Sequence, residues 1–549
     1  MRRAWLILGV AGLCGCAPAR AAMTVYATDG LARVRPHDPP LSTTTVAIRA
    51  ARNEYEPFQV VVRAGRDGLK GVRVEASDLR ADGDHVIARA NVTLFREHYV
   101  HVTRSSPKSR EGAGWYPDAL IPFVSPVDGL PVAGERFVGS PFDVEADTNQ
   151  PVWVDVFVPR NTSPGEYAGT ITVIATGQPP VTIPVHLTVW NITLPDTPSM
   201  RSNFGKLGTD VAKAHRVVMN SQEFREPEWH YATALAAHRI SPIIPNTLYP
   251  VVHDDGSIDP SRTHDGLKKW MAQFHVTGFP IRLLGDDPAG RDRARNITHL
   301  RAMWDYLEAN GWERTAYVYV LDEPEDAAAY DEVRRRAKMI HDAAPGIKVL
   351  CTEQPKPEKE SWGSLVGSVD IWVSLWTWFE EASAAERLRA GDELWSYTAL
   401  TQGRWGHDTP YWEIDFPLLD FRIPSWMSWR YGITGLLYWS PVNWSRGDVW
   451  TQTRTYGTGK VAYNGEGSLF YPGVDAGFVG PVTSMRLKQI REGLEDYEYL
   501  KLLADRGERA FADETARRLA RSWTDWDTSA SALYAARDEL ARRLQTPAR

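Results

Sequence analysis

Residues 315–326 read TAYVYVLDEPED, an alternating run of tyrosine and valine that stops at two adjacent acids and a proline. The run has the composition of a buried β-strand. The next stretch, AAAYDEVRRRAKMIHD (327–342), has helical periodicity. Strand, acidic turn and helix therefore follow one another within about 30 residues, which is the grammar of a βα unit. The same grammar recurs on both sides. Strand candidates are RSNFG (201–205), ISPIIPN (240–246), FPIRLLG (279–285), TAYVYVL (315–321), IKVLC (347–351), VDIWVSLW (369–376), ELWSYTAL (393–400) and GITGLLYWS (432–440), with helical segments between them. Their number and spacing predict a (β/α)8 TIM-like barrel over 201–480. No glycine-rich phosphate loop follows the first candidate, as a doubly wound nucleotide-binding sheet would favour.

Ahead of the barrel, residues 23–195 change rhythm. FQVVVRA (58–64), VWVDVFVP (152–159), EYAGTITVIA (166–175) and VTIPVHLTVWNITLP (181–195) alternate with period two and are separated by Pro, Gly, Asn and Asp turns. This predicts an all-β sandwich, closed by a short linker at 196–200. Behind the barrel, residues 481–549 read as a C-terminal helical segment packed on it. Leu487, Ile490, Leu494 and Tyr497 form an apolar stripe there. The expected architecture is multidomain: sandwich, barrel, C-terminal helices.

The first 22 residues read as an export signal, with Arg2 and Arg3, an apolar stretch and an A-x-A pattern at Ala19–Ala21. Cleavage after Ala21 or Ala22 predicts a periplasmic or secreted protein. Processing at Cys16, in an L-C-G-C context, predicts a lipid-anchored one instead. No later stretch is apolar and long enough to span a bilayer. Cys351 is the one cysteine beyond the signal, so no internal disulfide is expected, and its place at the end of IKVLC predicts core packing. A net charge of −7 offers no footprint for a nucleic acid. The 14 histidines have no metal-ligand spacing, and neither a metal nor another cofactor is expected.

Asp322 and Glu323 admit two readings. Asp322 suits a helix N-cap, with Glu325 three residues on completing a capping-box-like pair. Glu323 is not needed for a cap, and the carboxyl end of the fourth strand is where a barrel carries its active site. Glycosidic cleavage needs a proton donor and a second group at the oxocarbenium-like centre. ELWSYTAL, the seventh strand, carries no acid at its tip, and Glu413 and Asp415 in YWEIDFP fall in a connecting loop. The missing nucleophile points to a substrate that supplies its own. The alternative is a glycosidase pairing Glu323 with Glu353 or Glu413, or a non-catalytic glycan-binding protein of the cell envelope.

VWVDVFVPRNTSPGEYAGTITV (152–173), VWNITLPDTPSM (189–200), YVLDEPED (319–326), GEGSLFYPG (465–473) and MRLKQIREGLEDYEYLKLL (485–503) together resemble glycoside hydrolase family 123 and the bacterial proteins that share its catalytic domain. The resemblance implies a retaining β-N-acetylgalactosaminidase-type reaction on a terminal N-acetylhexosamine. In it the 2-acetamido carbonyl attacks the anomeric carbon to give an oxazolinium-like intermediate. By the same resemblance Asp322 orients the acetamido nitrogen and Glu323 is general acid, then base.

Twelve of the 22 tryptophans lie between Trp362 and Trp450. Flat aromatic walls suit the C–H faces of sugars. Trp376, Trp378, Trp439 and Trp444, at strand ends, are expected in the substrate pocket, and Trp362, Trp372 and Trp426 in the core. Tyr397 is a candidate to bind the acetamido carbonyl. Asn443 and Asp286 fall in loops on the same face, as does Asp287 in what reads as an Asp-Asp-Pro turn.

Overall fold

The strand Ala316–Leu321 puts Val318 and Val320 on one side, against the helices, and Tyr317 and Tyr319 on the other, inside a curled parallel sheet. The structure is a computed structural model that describes residues 23–205, 207–402 and 408–546. The export-signal stretch lies outside them.

Seven parallel strands form the curled sheet, in the order Arg201–Asn203, Gly435–Leu437, Glu393–Tyr397, Ile371–Leu375, Lys348–Cys351, Ala316–Leu321 and Phe279–Pro280. The first strand pairs with the last in sequence, as barrel closure requires. The expected second strand, ISPIIPN, forms no ladder. Pro242 and Pro245 have no N–H to donate, and the segment is tied in through side chains instead. The N–H of Ser241 donates to Ser202 Oγ at 2.8 Å, and the Ser241 hydroxyl accepts from Thr277 N–H at 3.1 Å. Its buried Ile240 and Ile244 fill the place of the eighth strand.

In the N-terminal region two sheets pack face to face. One runs Thr24–Asp29, Glu54–Arg63, Asn149–Val158, Val92–Val102 and Gly114–Pro122, all antiparallel. The other runs Val46–Arg52, Val181–Thr193, Gly165–Ile174, Leu69–Ala76 and Phe142–Val144. Val60, Val62, Val152, Val154, Val156, Ile171, Val185 and Leu187 fill the space between them. Two strands from beyond the barrel, Pro481–Ser484 and Phe470–Pro472, extend the first sheet through Gly114–Pro122. The chain thus re-enters the sandwich sheet with Phe470–Pro472, inside the 201–480 range expected of the barrel, and continues in it with Pro481–Ser484.

The helix Met485–Asp505 departs from the amphipathic expectation, being buried almost all round. Its apolar stripe packs on the barrel side, but its charged residues are buried as well, Arg486, Lys488 and Arg491 against the sandwich and Asp496 against the helix Leu419–Arg430. It is wedged between the two domains and not merely laid on the barrel. The reason is visible in VWVDVFV. The valines face the sandwich core, and the alternate residues Trp153 and Asp155 face the helix. Asp155 accepts from Arg491 at 2.7 and 2.8 Å and from Lys488 at 2.9 Å. Asp118 accepts from Arg486 at 2.8 and 2.9 Å, and Asp496 from Arg422 at 2.7 and 2.8 Å. Burial by itself would raise the Asp155 carboxyl, and the two cations outweigh it and hold it far below the usual range. Removing one partner of such a group strands the other charge. Asp155→Ala is therefore expected to lower unfolding stability by about 3–5 kcal/mol in a chemical denaturation experiment, an order of magnitude taken from buried pairs generally. A loss typical of a surface ion pair, below about 1 kcal/mol, would contradict this account.

Candidate active site

At the carboxyl end of Ala316–Leu321 the backbone turns through Glu323, whose φ is +41°. A non-glycine residue held there is strained, and such strain persists where surrounding contacts enforce it. Here they do. The Glu323 N–H donates to Thr352 Oγ1 at 2.7 Å, and Pro324 is buried directly after it. Thr352 stands at the carboxyl end of the neighbouring strand, so one hydroxyl spans two strand ends.

The helix that follows is not capped by Asp322. It runs Ala327–Ala343, and its N-cap is Asp326, whose carboxylate accepts from Ala329 N–H at 2.8 Å. The cap expectation was placed four residues too early, and Asp322 is released for another use. Its Oδ1 accepts from Tyr319 Oη at 2.5 Å and from Thr352 Oγ1 at 3.0 Å. Glu323 Oε1 accepts from Tyr397 Oη at 2.5 Å. Each carboxylate is thus oriented through one oxygen by neutral hydroxyls, and both acids are exposed to the cleft. Among the described residues the second oxygen of each is left to meet a bound molecule. Burial first, then the neighbouring carboxylates, push the Tyr397 and Tyr319 phenols well above their ordinary values, so both remain donors.

The cleft has a volume of about 1040 Å3 and is open to solvent on one side. Asp322, Glu323, Tyr319, Thr352 and Tyr397 form its floor, and Tyr438, Trp439 and Tyr456 line it as an aromatic wall. Trp439 is 39% exposed, and its indole N–H donates to Glu466 Oε1 at 2.6 Å. Glycine is required at 467, since a Cβ there would lie 2.1 Å from Trp439 Cζ2. A smaller cavity of about 250 Å3 adjoins the cleft and shares Glu323, Thr352 and Tyr397 with it. Trp362, Trp378, Glu353 and Gln354 line this second space. Burial pushes the Glu353 carboxyl up to about 7, against the opposing hydrogen bond from Gln354 N–H at 2.8 Å.

Of the residues singled out from sequence, Asp322, Glu323, Tyr397, Trp439 and Asp286 line the main cleft, and Trp378 the adjoining cavity. Trp376 does not. It is 2% exposed and stacks on Trp523, with centroids 5.0 Å apart and planes at 12°. Trp444 is turned into the fold, its indole N–H donating to the carbonyl of Phe470 at 3.0 Å. Asn443 is used by its own loop, donating to the Thr455 carbonyl at 3.1 Å and accepting from Ser445 at 3.0 Å. Position near a strand end did not separate these from Trp439, because the outcome depends on which way the following loop folds. Trp372 and Trp426 are core residues whose indoles donate to Asp392 and Asp496. Asp287 forms a turn, accepting from Arg291 N–H at 2.9 Å. Cys351 is buried. Glu413 and Asp415 are buried behind the wall, and Asp415 accepts from Ser106 of the sandwich through N–H and Oγ, both at 2.6 Å. Sequence reading missed Tyr319, Thr352, Tyr438 and Glu466. The first three had a signal, since each sits at or next to the carboxyl end of a barrel strand. Among the described residues no group of His, Cys, Asp and Glu is arranged to hold a metal ion, and no helix is long and apolar enough to cross a membrane.

A barrel-like sheet with paired acids at the carboxyl end of Ala316–Leu321, beside an aromatic wall, is an arrangement suited to a glycoside hydrolase. Two family models match the chain: the glycoside hydrolase 123 catalytic domain over residues 289–503 and the glycoside hydrolase 123 N-terminal domain over residues 32–175. Together they cover well over half of its length. The chain belongs to glycoside hydrolase family 123. Among solved structures it is similar in fold to a family 123 glycoside hydrolase from Clostridium perfringens studied for glycolipid glycan hydrolysis. That match has a TM-score of 0.66 at 15% identity and covers 95% of this chain and 97% of that one. A family 39 glycoside hydrolase from Bacteroides cellulosilyticus matches only slightly, with a TM-score of 0.31 at 11% identity over 82% of each chain. No curated protein matches the sequence.

Proposed function

We propose that this glycoside hydrolase is an exported retaining enzyme that removes terminal β-linked N-acetylhexosamine, in particular N-acetylgalactosamine, by substrate-assisted catalysis. One observation carries the reading. Two adjacent carboxylates stand together on the cleft floor, while the tip of the strand Glu393–Tyr397 presents Tyr397 where a two-carboxylate enzyme would place its nucleophile.

In this mechanism the glycosidic oxygen takes a proton from Glu323 as the C–O bond breaks. The 2-acetamido carbonyl oxygen bonds to the anomeric carbon from the opposite face, giving an oxazolinium-like intermediate. Asp322, held by Tyr319 and Thr352, accepts the acetamido N–H through its open oxygen and balances the positive charge that develops on nitrogen. Glu323, now a carboxylate, takes a proton from water as that water opens the intermediate with retention. Trp439 offers the stacking face, and Tyr397 keeps Glu323 aimed.

A thiazoline analogue of the intermediate tests the reading. It mimics a species with partial transition-state character and is expected to bind at least about 100-fold more tightly than substrate. An active enzyme left uninhibited would rule the mechanism out. The second reading, with Glu353 as partner of Glu323, has in its favour that Glu353 borders the adjoining cavity. It would then be supported by equal losses in Glu353→Gln and Glu323→Gln. Export is tested by the mass of the mature chain, which separates cleavage near Ala21 from lipid attachment at Cys16.

A further inference from the structure

We propose that Glu413 and Glu466 are positioning residues: a buried carboxyl pair sharing one proton behind the cleft wall, which fixes the Trp439 ring as the surface on which the sugar stacks. The proposal rests on the cleft being the sugar site.

Glu413 is fully buried and Glu466 is 1% exposed. Glu413 Oε2 is buried with no donor among the described residues, and the two carboxyl groups face one another, so a proton between them would satisfy both acceptors. The outer oxygens are committed. Glu466 Oε1 receives the Trp439 indole N–H at 2.6 Å, and Glu413 Oε1 receives the Gln402 amide. Among the described residues the pair has little positive charge around it. Arg486 is the cation facing Glu466, and it is engaged with Asp118 and with the carbonyls of Gly465 and Ser468. Among the described residues, Tyr411, Asp415, Tyr438 and Tyr463 are the other titratable groups around the pair. Burial pushes both carboxyls up, Glu466 to about 7 and Glu413 well above the usual carboxylate range, which favours a pair that holds a proton. Gly467 and Gly205 lie where any Cβ would clash with the Trp439 ring and with its backbone carbonyl. The N–H···Glu466 bond then sets the ring's rotation. Nothing in the proton-transfer steps uses the pair, which acts only through Trp439.

The test separates KM from kcat in three variants. Trp439→Phe keeps a ring and removes the N–H, and Glu466→Leu removes the acceptor. Each is expected to raise KM about tenfold with kcat within about twofold, the size of one lost buried hydrogen bond. The double variant is expected to be no worse than either single one, because both remove the same interaction. Glu413→Gln carries a permanent N–H in place of the shared proton. It is expected to keep wild-type KM and to lack the rise in KM at alkaline pH that is expected of the wild type once the pair loses its proton. Multiplying effects in the double variant, or an alkaline rise unchanged in Glu413→Gln, would overturn the proposal. If Glu466→Leu does not fold, the Glu413→Gln profile decides. An active wild type that the thiazoline inhibits, yet whose variants behave additively, would reject this positioning role alone. A wild type that the thiazoline leaves uninhibited would reject the mechanism beneath it.

Discussion

Glu323→Gln is expected to lower kcat/KM by about a thousandfold on N-acetylhexosaminides with alkyl or sugar leaving groups, and far less on those with nitrophenyl leaving groups. The amide keeps the volume of the carboxyl and an oxygen to accept from Tyr397, so the strained turn at 323 and the cleft floor survive the change. What is lost is the proton. A sugar alkoxide cannot depart without one, whereas a nitrophenolate can, so the size of the loss tracks leaving-group basicity. A series of aryl glycosides would give a steeper dependence of log(kcat/KM) on leaving-group pKa in the variant than in the wild type. Parallel slopes would remove Glu323 from the acid role and leave it a binding group.

The second large effect belongs to Asp322→Asn, with kcat expected to fall by about a hundredfold, on the scale of removing one preorganised electrostatic contact. Asparagine still accepts from Tyr319 and Thr352, so the geometry at the strand end is retained. The negative charge beside the acetamido nitrogen disappears, and with it the preference for the charged intermediate over the neutral substrate. Thiazoline affinity should fall in proportion to kcat while KM changes little, because the interaction is made mainly after nitrogen becomes positive. A variant with unchanged kcat would return Asp322 to a purely structural role. The helix contributes no competing explanation, since its cap is Asp326.

Much of the framework was legible because it is written in local periodicity. Alternation in VWVDVFV and AYVYVL reports strands directly, and the position of Asp322-Glu323 at a strand's carboxyl end placed the acids on the active face. The apolar run ISPIIPN has the composition of a strand, yet it forms no ladder because Pro242 and Pro245 have no N–H to donate. The tryptophans were harder. Trp376, Trp439 and Trp444 have the same kind of neighbours in sequence, yet one stacks in the core, one lines the cleft and one is turned into the fold. Their separation depends on Trp523, Glu466 and Phe470, partners between 26 and 147 positions away.

By itself the sequence determined the order of elements, the acid pair on its turn and the family, because each is carried by contiguous residues. Only the tertiary structure decided which charges are open to solvent. Asp322, which local rules would spend on a helix cap, and Glu323 are both exposed to the cleft and held by Tyr319, Thr352 and Tyr397 from three strand ends. Glu413, Glu466 and the charged side of Met485–Asp505 are buried, although sequence gives them the look of surface. Burial is a sum over neighbours remote in the chain, and the proton held between two buried acids follows from that sum.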